Sequence, residues 1–167
     1  MKMARSSYLQ RLSKAIRGLW VPAHIKEMFR RCGALARTLD ASIDETVYDS
    51  HHFGNAYVDM HRDGLRVRVI RDRGQYFIEL KPRGYRGEPF QADMLLDYLE
   101  NDSGASSQRN LGDLEQQVER FVRDYPLVTA FFRPEGFEVR VAAFEQSLIA
   151  QARRNFPGAF PADADSS

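Results

Sequence analysis

The chain has 167 residues, 43% apolar and 28% charged, with a formal net charge of +1. That length is enough for a buried core, and that composition excludes disordered, collagen-like and disulfide-rich classes. No apolar run reaches the roughly 20 residues that a helical membrane span needs, and the basic N-terminus lacks the uninterrupted apolar stretch of a secretory signal.

The charge is unevenly spread. Residues 1–39 carry nine Lys/Arg against the single acid Glu27, a net of +8, which leaves −7 on the remainder. A basic head on an acidic body implies either an acidic partner or a self-complementary surface. The lone cysteine, Cys32, cannot form an internal disulfide, and a reducing cytoplasm suits it.

From Ser7 to Trp20 the apolar residues Tyr8, Leu9, Leu12, Ala15, Ile16, Leu19 and Trp20 recur at three and four. This predicts a basic amphipathic helix over residues 1–20, either packing on the body or binding a surface. A second helix is expected from about Pro22 to Leu39, with Ile25, Met28, Phe29, Cys32, Leu35, Ala36 and Leu39 on one side. Cys32 reads there as a core residue. Residues 21–160 are expected to form a single domain and residues 161–167 a flexible tail.

The pattern then changes to a period of two. Strands are expected at Glu45–Phe53, Ala56–His61, Leu65–Arg71 and Gln75–Leu80. Gly54-Asn55, Asp63-Gly64 and Asp72-Arg73-Gly74 mark the turns between them. Such short connections require antiparallel pairing. Gly and Pro predict a loop over 81–89, and helices follow at about 91–99, 111–125 and 137–155, with Pro126 ending the second of these and the short apolar run Leu127–Phe132 able to continue as a packed helical turn. The fold class is therefore α+β: a four-stranded antiparallel meander, about residues 45–81, flanked by N-terminal and C-terminal helices.

Several constellations bear on chemistry. Glu79 and Lys81 lie two apart on one strand and share a face. With Asp63 or Asp72 upstream they match the outline of a Mg²⁺-dependent, restriction-endonuclease-like nuclease, in which carboxylates hold the metal and lysine assists water. Against that, turns favour Asp at both positions, and no Pro-Asp element completes the motif. His51, His52 and His61 with Asp49, Asp59 and Asp63 could furnish metal ligands, but they lack a fixed ligand spacing and read as polar strand-end groups. Arg62, Arg66, Arg68, Arg71, Arg73, Lys81, Arg83 and Arg86 interleave with Tyr76, Phe77 and Tyr85. That suits a nucleic-acid-binding sheet or, as the preferred reading, cross-strand pairing with Asp59, Asp63, Asp72 and Glu79. Neither a cofactor nor a metal is expected, and nucleic acid is not the expected partner.

Phe53-Gly54-Asn55-Ala56, Asp63-Gly64-Leu65-Arg66-Val67-Arg68-Val69 and Arg71-Asp72-Arg73-Gly74-Gln75-Tyr76-Phe77 resemble a group of small bacterial α+β proteins, some of them similar to immunity proteins. The resemblance covers about Glu45 to Leu99. It implies a cytoplasmic, non-enzymatic protein that neutralises a cognate bacterial toxin by covering its active site, and it transfers no catalytic residue. Residues 88–124 hold nine acids against three arginines, a net of −6. Glu88, Asp93, Asp97, Glu100 and Asp102 are the expected partner-binding surface, able to steer onto a basic toxin.

Overall fold

The computed structural model describes residues 21–50, 54–101 and 113–156. The expected N-terminal helix, the loop following Asn101 and the tail at 161–167 lie outside these residues, as do His51, His52 and Asp102. The described residues divide into two compact units, residues 21–93 with 113–123 and residues 94–101 with 124–156.

The first unit opens with helix α1, Ala23–Thr38. The Pro22 carbonyl accepts the amides of Ile25 and Lys26 at 3.0 and 3.1 Å, a fitting place for a residue with no N–H of its own. The apolar spacing read from the sequence becomes the buried stripe Ile25, Met28, Phe29, Cys32, Leu35 and Ala36. The helix ends in a Schellman arrangement. The Ala41 amide donates to the Ala36 carbonyl at 2.8 Å and the Asp40 amide to the Arg37 carbonyl at 3.2 Å, while Asp40 takes a left-handed φ of 52°. Gly33 sits inside the helix, where a Cβ would meet only the Arg37 Nη1 at 3.7 Å. Nothing local demands glycine there.

The sheet has five strands in the order β1-β2-β3-β4-β5, all antiparallel: β1 Ser42–Asp49, β2 Asn55–Arg62, β3 Leu65–Asp72, β4 Gln75–Pro82 and β5 Phe90–Gln91. The expected meander is present. Its first strand begins earlier than the sequence suggested and stops at Asp49, which pairs with Asn55. The fifth strand adds to the four expected ones, its two residues pairing as Glu79↔Gln91 and Leu80↔Phe90. Asp63-Gly64 and Arg73-Gly74 hold positive φ at both positions (50° and 80°, 48° and 86°). This is the mirror-image turn whose twist matches the strands it joins.

Alternation places Ala56, Val58, Met60, Leu65, Val67, Val69, Ile78, Leu80 and Phe90 in the core, on the face that α1 meets through β1 and β2. The first ten residues of helix α3, Leu114–Phe131, also belong to this unit. Asp113 caps the helix by accepting the amides of Glu115 and Gln116 at 2.9 and 3.1 Å. Gln117 then donates to the Tyr76 carbonyl at 3.1 Å.

The second unit contains most of α2, Ala92–Asn101, the end of α3, and α4, Phe137–Asn155. Phe131 packs edge-on against Phe132, Phe137 and Phe144, and Tyr98 packs on Phe144. The expectation that Pro126 ends the helix is corrected, because α3 continues to Phe131. A proline removes one N–H from the ladder, yet later bonds resume, such as Phe132 amide to Val128 carbonyl at 3.2 Å. Buried Val128 and Phe131 also anchor the last turns. The Arg140 guanidinium closes the following turn by donating to the carbonyls of Phe131, Arg133 and Glu135. Among the described residues no helix is long and apolar enough to cross a membrane.

Candidate recognition face of the sheet

The side chains opposite the core form rows across the strands, and the two tight hairpins set their register. Val47, Tyr57, Ile70 and Phe77 oppose one another in turn across β1 to β4. All four are half-exposed, so the sheet carries an apolar band on its outer side.

The next row is Glu45, Asp59, Arg68, Glu79 and Gln91, one residue from each of the five strands. Asp59, only 6% exposed, is the one buried charged residue named among the described residues. Burying a carboxylate needs a partner, and Arg68 supplies a bidentate one: its Nε and Nη2 donate to the two Asp59 oxygens at 2.7 and 2.6 Å. Hydrogen bonding to Asp59 holds the Arg68 guanidinium above its usual pKa against the opposing effect of burial. The guanidinium carbon lies 4.4 Å from the centroid of the Tyr57 ring. Tyr57 donates to Glu45 at 2.9 Å, and this bond raises the phenol's pKa. Gln91 donates to Glu79 at 3.2 Å. Arg68 thus stands between two acids, Asp59 and Glu79, while Glu45 faces Asp59 and is engaged by Tyr57.

The third row is different. His61 faces Arg66, and Arg66 faces Lys81. His61 contacts both oxygens of Asp44 at 2.7 Å, which uses the nearby carboxylate. Asp63 is engaged by Arg62 at 2.9 Å. Among the described residues Arg66 and Lys81 form no ion pair.

These rows locate the residues that the sequence singled out. Glu79 and Lys81 do share a face, but their cross-strand partners are Arg68 and Arg66. Asp63 and Asp72 lie beyond or at opposite ends of β3, roughly 23 Å apart or more at about 3.3 Å per residue. The upstream acids therefore do not converge on Glu79. Its nearest carboxylate neighbour across the row is Asp59, and the Arg68 guanidinium stands between their strands, where a metal-binding pair would require a cation of its own. His61 and Asp49 sit at opposite ends of the β1–β2 pairing. Among the described residues no group of three His, Cys, Asp or Glu side chains is placed to hold a metal.

On α2, Asp93, Asp97 and Glu100 occupy positions i, i+4 and i+7, the spacing of one helical face. All three already interact with other groups of the protein, so the stripe is not a bare negative surface. Glu88 is exposed in the loop before β5. The hairpin arginines are split by role. Arg62 reaches the Leu39 carbonyl and Arg71 the Gly54 carbonyl, while Arg68 holds Asp59. Cys32 is fully buried, and burial pushes its thiol up to about 12. The expected cross-strand pairing of arginine with acid is present at Arg68 and Asp59, but the order of the rows was not read from the sequence although its signal was there. Two-residue turns at 63–64 and 73–74 oblige Arg68 to face Asp59 and Glu79, and Arg66 to face His61 and Lys81.

No protein-family model, curated protein or solved structure matches the chain.

Proposed function

We propose that the chain is a non-catalytic protein-binding module, most concretely an immunity-type protein that covers the active site of a cognate bacterial toxin. The observation that carries this reading is the half-exposed band Val47, Tyr57, Ile70 and Phe77, lying beside the bidentate Arg68–Asp59 pair. Aromatic anchors next to an engaged arginine are the composition of protein interfaces. The rigid sheet presents them without an ordering cost on binding. This moves the partner surface from the acidic helix to the sheet.

The mechanism is steric. A preformed face docks beside the toxin's catalytic groups and excludes substrate, and it needs no reacting residue on this chain. The test is co-purification with the product of the adjacent gene, followed by toxicity assays with and without this protein. Rescue of growth is expected, together with at least tenfold weaker binding in Phe77→Asp. An adjacent gene with no toxin domain, and nothing bound to the purified chain, overturns the proposal.

A further inference from the structure

We propose that Arg66 and Lys81, extended by Arg83 and Arg86, bind the phosphodiester backbone of a single-stranded nucleic acid. The proposal goes beyond the protein-binding reading: its cations belong to a different row, while Tyr57 and Phe77 are shared with that reading.

Like charges directly opposite each other on neighbouring strands destabilise a sheet, and Arg66 faces Lys81 with no carboxylate between them. The neighbouring carboxylates are engaged elsewhere: Asp44 with His61, Asp63 with Arg62, Asp59 with Arg68, and Glu79, two residues from Lys81 on the same face, with Gln91 and opposite Arg68. In the row two residues away Arg68 stands between Asp59 and Glu79, so this sheet does accommodate compensated charge.

The loop after β4 extends the row. The Arg83 amide donates to the Gly64 carbonyl at 2.7 Å, which ties the loop to the β2–β3 turn, and the Tyr85 amide donates to the Pro82 carbonyl at 3.1 Å. Tyr85 packs on Phe90 with ring centroids 5.2 Å apart. It also lies against Gly87 so closely that a Cβ there would collide with its ring. Arg83 and Arg86 are exposed on this braced loop, and among the described residues neither forms an ion pair. The cations thus run from β3 across β4 and into the loop. They line a surface rather than converge on one point, which suits a chain of phosphates better than a single small anion.

The same face carries Tyr57 and Phe77, half-exposed and two rows away. Lys81 and Phe77 lie four residues apart on β4, roughly 13 Å at about 3.3 Å per residue. A cation row beside sheet aromatics is the layout that holds backbone and bases of a single strand together. A bilayer surface, by contrast, is met by a basic amphipathic helix with an apolar face, which these strands and this loop do not form.

The experiment titrates the full chain against fluorescein-labelled oligouridylate of twelve nucleotides, read by fluorescence anisotropy over a range of salt. Four phosphate contacts predict a log–log salt slope of about −3. Arg66→Ala with Lys81→Ala should weaken binding at least tenfold and flatten the slope by roughly 1.4, whereas Arg30→Ala on α1 should leave it unchanged. Lys81→Glu supplies the sharper test, because it replaces a like-charge pair by an attractive one. Binding should be lost while the melting temperature rises by about 1–4 °C. That opposite movement separates a binding role from misfolding. Three results overturn the proposal: no binding by the unmodified chain at low salt, undiminished binding by the double alanine variant, or binding to phosphatidylserine vesicles through these residues with the oligonucleotide ignored.

Discussion

Two neighbouring rows of one sheet face treat charge in opposite ways. In Asp59–Arg68–Glu79 the signs alternate, and the central guanidinium is held by two short bonds while its carboxylate partner is buried. In His61–Arg66–Lys81 two full cations face each other across neighbouring strands. The rows lie on the same three strands and the same face, although Asp59 is buried and His61 exposed, so the contrast between Arg68 and Arg66 lies in the side chains opposite them. The first row is what a sheet needs in order to carry polar groups beside an apolar band. The second departs from that need, and such departures mark the places where a sequence has been shaped by something other than stability.

The contrast can be broken or sharpened by substitution. The largest effect is expected for Asp59→Ala, which removes both hydrogen bonds to the partly buried Arg68 guanidinium and leaves it only the Tyr57 ring and the facing Glu79. Discounting for the partial exposure of Arg68, the loss should be about 2–4 kcal/mol in urea unfolding. Arg68→Lys keeps the charge but forfeits the bidentate geometry and the stacking on Tyr57, so about 1–2 kcal/mol should be lost by the same measurement. On the other row the sign reverses: Lys81→Glu should gain about 0.2–1 kcal/mol. If all three variants destabilise alike, the rows do not differ in kind.

Two smaller expectations calibrate the scaffold beneath both rows. Gly33→Ala in α1 should stabilise the protein by about 0.5–1 kcal/mol, because a methyl there meets only the end of the Arg37 side chain and removes backbone freedom from the unfolded chain. Cys32, with its thiol raised to about 12 by burial, should resist a disulfide-exchange reagent at pH 8 until denaturant unfolds the chain. Rapid labelling of the native protein would show that the helix face read here as core is open.

Much of the meander was legible before any coordinates. The turns at 63–64 and 73–74 combine Asp-Gly or Arg-Gly with apolar alternation on both sides, and only a left-handed turn reconciles those residues with two-residue connections. Helix α4 was legible too, from the spacing of Val141, Phe144, Leu148, Ile149 and Ala152 along one face. The fifth strand was not, because two residues have no period. The continuation of α3 through Pro126 was missed for a different reason. Local propensity argues for a stop, and the anchoring that overrides it comes from buried Val128 and Phe131.

The candidate site divides along the same line. Which residues share the outer face of each strand follows from alternation, and Glu79 with Lys81, or Arg66 with Arg68, were correctly paired that way. What the acids do was legible in part: pairing with the hairpin arginines was expected, and Asp59 and Asp63 do pair with Arg68 and Arg62. Asp63, Asp72 and Glu79 are close in sequence, yet a strand about eight residues long separates the two aspartates, and Glu79 meets an arginine and a glutamine instead. Nearness along an extended chain is a poor guide to convergence, since each residue adds over 3 Å.

By itself, then, the sequence determined the α+β class, the meander, its two mirror-image turns and the face to which each strand residue belongs. These are set by backbone dihedrals and by a period of two, both local properties. Only the tertiary structure decided which charges meet, because pairing across strands depends on register and on the atoms that reach each carboxylate. It also decided that Arg68 is neutralised while Arg66, two residues earlier, faces another cation.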